Sequence, residues 1–266
     1  MGKYLALGVA CALGLTATAR ADDDHELAKK LTNPVADLVS VPFQFNYDQG
    51  LGPSDKGQQY MLRMQPVIPI SIGEDWNVIS RTILPVIYTN RFVAPFDGPN
   101  FGLSDTTQSF FFSPKQPSRW GGMIWGAGPA LLLPTATVGS LGTEKWGAGP
   151  TAVVLKMAGP VTTGFLWNQI WSFAGSNNRQ RVNQTYFQPF LSYTTHTATT
   201  FSVNSESTYD FVSGRWTVPV NFLISQVVRL GPQILQLQVG YRSYVTTPAN
   251  GPNWGLRFQV TLLFPK

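Results

Sequence analysis

The clearest pattern in the chain lies near its end. Trp254, Leu256, Phe258, Val260, Leu262 and Phe264 fall on one side of an alternation, with Gly255, Arg257, Gln259 and Thr261 on the other. A period of two marks a strand with one apolar and one polar face. The alternation returns in Val39, Val41, Phe43, Phe45 and Tyr47 against Ser40, Gln44 and Asn46, and in Tyr60, Leu62 and Met64 against Gln59, Arg63 and Gln65. Read along the whole sequence, it predicts strands near 39–47, 58–72, 76–90, 104–113, 120–133, 145–157, 161–173, 182–194, 198–208, 214–227, 233–246 and 253–264.

The connections alternate as well. Those at 48–57, 91–103, 134–144, 174–181 and 246–252 are rich in Gly, Pro, Asn and Ser, whereas those at 73–75, 158–160 and 195–197 are tight. Long loops at one end and short turns at the other are the rhythm of an up-and-down membrane barrel. Pro42, Pro66, Pro69, Pro85, Pro129, Pro150, Pro189 and Pro219 run against it, because each removes a ladder donor inside a predicted strand. Bulges are expected at several of them.

Composition separates a membrane barrel from a soluble sheet. Hydrophobic residues make up 43% of the 266-residue chain and charged residues only 12%, about half the usual charged share of a soluble protein. Beyond the first residues there is no unbroken apolar run of the ~20 residues that a spanning helix needs. A closed barrel satisfies every backbone group in lipid without one. The expected fold is therefore all-β: a transmembrane antiparallel β-barrel of about 12 strands with a short N-terminal helical segment. Trp76 and Trp120 are expected at one rim and Trp146, Trp216 and Trp254 at the other, as an aromatic girdle.

The first 21 residues read as a secretory signal: Lys3, an apolar run from Tyr4 to Thr16, then Ala19-Arg20-Ala21. Domain boundaries follow at 1–21 (signal peptide), 22–38 (helical segment) and 39–266 (barrel). The segment 22–38 either plugs the lumen or hangs outside it; both readings stand open. Cys11, the only cysteine, belongs to the leader. Lys3 and Arg20 leave with it, so the mature chain keeps 17 of 19 basic residues against 14 acids, a net +3. So small an excess makes no case for nucleic acid.

A short repeat follows. Trp125-Gly-Ala-Gly-Pro129 returns as Trp146-Gly-Ala-Gly-Pro150, and parity puts Gly126, Gly128, Gly147 and Gly149 on the lumen side of adjacent strands. They form either a bare wall for a solute or the N-terminal segment, or places where strands bend. LTNPVADLVSVPFQFNYD (31–48), WGAGPALLLPTAT (125–137), LGTEKWGAGPTAVVLK (141–156), IWSFAG (170–175) and FQPFLSY (187–193) resemble the outer-membrane family of the MetA phenol-degradation pathway. The resemblance implies an outer-membrane barrel and uptake, with aromatic compounds as candidate solutes. It brings no catalytic signature.

For chemistry, Arg63, Arg215, Arg242 and Arg257 each adjoin an apolar or aromatic residue at i±1, which predicts that all four point into the lumen. With Glu206 and Asp105 as the only comparable acids, they would make a basic wall that favours anions, or else brace a filled lumen through nearby glutamines. A solute channel or transporter is the expected function; a barrel hydrolase or acyltransferase, or a structural barrel, is the alternative. The enzyme reading needs a base held beside a nucleophile. His25 and His196 are the only histidines, and parity sets neither beside Asp37 or Glu206. No cofactor or metal site is expected, since cysteines and paired histidines at ligand spacing are missing. Expected partners are outer-membrane lipid, a small solute, and the barrel assembly machinery through the C-terminal strand.

Overall fold

The computed structural model describes residues 22–90, 99–119 and 121–265. The expected leader over 1–21, the 91–98 part of one long connection, and Trp120 lie outside the described residues.

The period-two stretches become β1 (Val39–Leu51), β2 (Gly57–Met64), β3 (Val67–Ile72), β4 (Trp76–Asn90), β5 (Asn100–Leu103), β6 (Thr106–Pro114), β7 (Met123–Leu133), β8 (Lys145–Ala158), β9 (Val161–Gly175), β10 (Asn183–Thr194), β11 (Thr199–Ser205), β12 (Ser207–Asp210), β13 (Arg215–Leu230), β14 (Gln233–Thr246) and β15 (Trp254–Phe264). Three pairs, β2/β3, β5/β6 and β11/β12, are single staves interrupted once, so the barrel has 12 staves. All pairings are antiparallel, and β1 meets β15 from Val39↔Phe264 to Gln49↔Trp254, which closes the ring. Several expected boundaries move: β1 runs on to Leu51, the 58–72 and 198–208 stretches are each interrupted once, the 104–113 stretch begins at Thr106 with its stave reaching back to Asn100 through β5, and the 120–133 stretch begins at Met123.

Residues such as Phe45, Trp125, Phe222, Leu237, Tyr241 and Phe258 stand exposed on the outer surface, while their neighbours in sequence turn inward. That apolar band is what a lipid environment requires of a barrel exterior. Ser80, Thr82 and Gln108 depart from it, and they satisfy one another: Thr82 Oγ1 donates to Gln108 Oε1 at 2.6 Å and Gln108 Nε2 donates to Ser80 Oγ at 3.0 Å.

The register accommodates the prolines of the repeat. Pro129 lies directly opposite Pro150 in the β7–β8 pairing, a position where neither needs to donate to the other. Their missing donors face β6 and β9, and there the ladders lapse, between Ser109↔Ala130 and Phe112↔Ala127 and between Ala148↔Trp171 and Thr151↔Asn168. The repeated glycines serve the same gaps. A Cβ on Gly128 would lie 2.0 Å from the Phe110 carbonyl oxygen, and one on Gly149 1.8 Å from that of Gln169. At Gly126 and Gly147 it would meet Phe111 Cβ at 3.2 Å and Ile170 Cγ2 at 2.8 Å. The four glycines are thus not a bare lumen wall: neighbouring strands already occupy that space.

The N-terminal segment enters the barrel at the end where β1 begins and β15 finishes. Its helix, α1, covers 22–31, with Asp22, Asp23 and Asp24 at the N-terminal end, where negative charge is favourable. Asn33 then turns the chain, its Oδ1 accepting from the Val35 amide at 2.9 Å. Leu27, Ala28 and Leu38 pack on the inward residues Ala198, Val227, Ile234 and Leu263. Polar ties hold it: Arg229 to Asp24 at 2.7 Å, His25 Nδ1 to the Thr195 carbonyl at 2.9 Å, and Thr32 Oγ1 donating to Thr162 Oγ1 at 2.8 Å.

Val35 joins a second cluster with Ile79, Phe111, Val153, Leu155 and Leu166, contributed by β4, β6, β8 and β9. The lumen is therefore two-sided. One side is packed like a soluble core, and the other, from β10 through β15 to β3, carries amides, hydroxyls and charges.

Candidate functional site: an ionic bridge across the lumen

Each lumen-facing arginine near the C-terminus lies beside a glycine. Arg257 on β15 is level with Gly240 on β14, and Arg242 on β14 with Gly255 on β15. The missing side chains let other groups close in: a Cβ on Gly240 would fall 2.3 Å from Leu223 Cδ2. A Cβ on Gly255 would fall 2.4 Å from Asp48 Oδ1. Across that space Asp48 on β1 reaches Arg242 Nη1 at 3.5 Å, both side chains being 4% exposed. Tyr244 Oη donates to the same Asp48 oxygen at 2.8 Å.

Glu206 is the one residue of the β11/β12 stave outside its ladders. Pairing with β13 stops at Ser205↔Val220 and resumes at Thr208↔Thr217, alongside Pro219; pairing with β10 lapses between Phe190↔Asn204 and Phe187↔Ser207, around Pro189. Freed there, its carboxylate spans the interior. Arg257 Nη1 and Nη2 donate to its two oxygens at 2.8 and 2.9 Å, a bidentate fork. Arg63 Nη1 on β2 adds a third bond at 3.2 Å. Arg257 Nε donates to Asn46 Oδ1 at 2.8 Å, which fixes the guanidinium's orientation. The β2 and β11/β12 staves lie five steps apart round the ring, so the bridge crosses nearly the full width.

Arg81 on β4 completes the group. Its Nη2 donates to Gln65 Oε1 at 3.1 Å, and among the described residues no carboxylate lies within ion-pair distance of it. Four guanidinium groups (Arg63, Arg81, Arg242, Arg257) face two carboxylates (Asp48, Glu206), a local net charge of +2. Asn46 Nδ2, Asn221 Oδ1 and Arg242 Nε are buried without a protein partner, and such atoms call for a water or solute atom. Between the bridge and the N-terminal segment lies a cavity of about 230 Å³, lined by Arg81, Glu206 and Arg257, by amides including Gln65, Gln188 and Gln238, and by Phe190.

Of the expected site residues, the structure gathers Arg63, Arg242, Arg257 and Glu206. The expected basic wall is corrected: its charges are bridged by Glu206 and Asp48 rather than presented bare. Arg215 is exposed at the loop-end start of β13 and joins none of these pairs. Asp105 serves the loops instead, accepting from the Thr143 amide and Thr143 Oγ1 at 2.6 Å each and from the Ala136 amide at 3.3 Å, which pins the 134–144 connection. Arg81 escapes the neighbour rule because Ser80 and Thr82 flank it, and Asp48 because it falls in the connection expected at 48–57. The two histidines, 171 positions apart in sequence, stack with ring centroids 5.3 Å apart. Among the described residues no group of three His, Cys, Asp or Glu side chains could hold a metal ion.

The sequence matches no protein-family model and no curated protein. The fold is that of outer-membrane β-barrels. It is similar to an outer membrane channel from Pseudomonas putida F1, at 15% identity over 85% of this chain and 95% of that one, with a TM-score of 0.63. It is also similar to outer membrane phospholipase A from Escherichia coli (8% identity, 85% and 90% covered, TM-score 0.52). A third likeness is to the beta domain of the Bordetella autotransporter BrkA (10% identity, 85% and 99% covered, TM-score 0.50). At these identities the likeness defines architecture.

Proposed function

We propose that this chain is an outer-membrane channel that passes small anionic solutes along the polar side of its lumen. The excess of guanidinium over carboxylate at the bridge carries the proposal: in a narrow, low-dielectric passage, a local charge of +2 raises the concentration of anions and opposes cations. The similar barrel from Pseudomonas putida F1 is an outer membrane channel, which supports the same reading. Segment 22–38, docked in the terminus-side opening, acts as the obstruction that conduction must relieve.

An aromatic carboxylate suits the chemistry, since guanidinium forks take carboxylates and their planes stack on rings. The resemblance to the phenol-degradation family supports that finer reading. We read the barrel as non-enzymatic because both histidines are engaged, His25 with the Thr195 carbonyl and His196 with His25. Delivery to the outer membrane would follow cleavage after Ala21, with β15 engaging the assembly machinery.

Reversal potential in planar bilayers under a salt gradient tests the proposal. Anion preference is expected; a cation-selective pore would overturn it.

A further inference from the structure

Two features of the bridge are unexplained by a structural brace. Arg81 lines the cavity with an amide oxygen as its only hydrogen-bond acceptor among the described residues. A guanidinium in such a place normally has a carboxylate. Glu206 lines the same cavity, yet reaches away from its own stave to take the fork of Arg257 and the end of Arg63. It does so from a point where Pro189 and Pro219 have removed the neighbouring ladder bonds, so its backbone is tied less firmly than the strand on either side. The cavity holds about 230 Å³, room for about seven waters or one small ring with its acid group.

We propose that this cavity is a carboxylate-binding site in which Glu206 is a tethered stand-in, and that an incoming solute carboxylate docks on Arg81 and displaces Glu206 from the Arg257 fork. The ligand class is a small monocarboxylate. Its acid group would find a guanidinium free of any acid at Arg81 and a preformed bidentate fork, already oriented by Asn46, at Arg257. Its body would lie among Gln188, Gln238 and Phe190. Displacement also breaks the two-bond Arg257 half of the bridge and leaves Glu206 only its single contact with Arg63, so binding and loosening of the bridge are one event. This rests on the channel reading and names the solute that the channel admits.

The test uses the full mature protein in detergent, titrated with benzoate and with benzamide, an isosteric pair that differs in charge; calorimetry gives both affinities. Benzoate is expected to bind at least tenfold more tightly than benzamide. Arg81→Gln should bring benzoate down to the benzamide level. Glu206→Gln, which removes the competitor, should tighten benzoate at least tenfold; if that variant fails to fold, Glu206→Asp, charged but too short to keep the fork, should tighten it in the same direction. Equal affinity for the two ligands, indifference to Arg81→Gln, or no tightening in the folded Glu206 variant would overturn the proposal. Binding needs no conduction. Benzoate binding by a protein that conducts no ions would therefore sink the channel reading alone, and anion conduction without preferential benzoate binding would sink this one alone.

Discussion

Asp48 and Arg242 stand two staves apart and meet at 3.5 Å over Gly255, a residue that leaves their path clear. A methyl group at that position would fall 2.4 Å from both Asp48 Oδ1 and the Tyr47 carbonyl oxygen, and of the two the carboxylate is the freer to move. Gly255→Ala should therefore part the pair and leave two charges buried. We expect a loss of about 3 to 5 kcal/mol, the usual range for breaking a buried ion pair, measured as a lowered urea midpoint in detergent. Stability like that of the native chain would show that the pair is not held by that contact.

The bridge should control selectivity. Replacing both Arg242 and Arg257 with glutamine removes two of four guanidinium groups and takes the local charge from +2 to zero. The reversal potential in a salt gradient should move toward that of a non-selective pore. Arg215→Gln, at the exposed rim, should leave it within error.

Parity can be tested with one charge placed at two adjacent positions. Leu237 is 45% exposed on the outer face, and Leu237→Arg should cost about 2 to 4 kcal/mol if that point lies near mid-membrane. Gln238→Arg puts the same group in the polar cavity and should be tolerated. Folded fractions by gel heat-modifiability give the comparison, and equal damage would contradict the assignment of faces.

The glycines of the repeat should not be equivalent. Gly149→Ala drives a methyl into the Gln169 carbonyl, whereas Gly126→Ala meets side-chain carbons at close contact. The first should destabilise by about 1 to 3 kcal/mol, as overpacking does, and the second by less. The reverse order in thermal unfolding would refute the close-approach account.

Segment 22–38 can be locked in place. Thr32 and Thr162 hydroxyls lie 2.8 Å apart, so cysteines there should form a disulfide, with no other cysteine in residues 22–266 to compete. Conductance should rise on reduction, because release of the segment clears the terminus-side opening. Identical conductance in both redox states would show that the segment does not obstruct flow.

Most of the strand plan was legible because lipid enforces it: a lipid-facing position must be apolar, so the period of two survives at Phe222, Leu237 and Phe258 whatever the function. The lumen is under no such rule. Arg81 sits between Ser80 and Thr82, which face outward as a mutually satisfied polar group, so no alternation marks it. The pairing of Glu206 with Arg63 spans 143 positions, and no local pattern encodes a partner at that separation. Asp105 and Arg215 looked alike as charges near strand ends. Only the folded loops distinguish a carboxylate that ties Thr143 from a guanidinium left at the rim.

The cluster of Ile79, Phe111, Val153, Leu155 and Leu166 has a last consequence. In an unfilled barrel the bore grows with the number of staves. Here nearly half the circumference is backed by solid packing, so gauge and circumference are decoupled. Trimming Phe111 or Leu166 would widen the passage with no stave added, and bulkier side chains would close it with none lost. A lineage of such barrels could thus retune its sieve one side chain at a time, under an outer surface that the membrane holds constant.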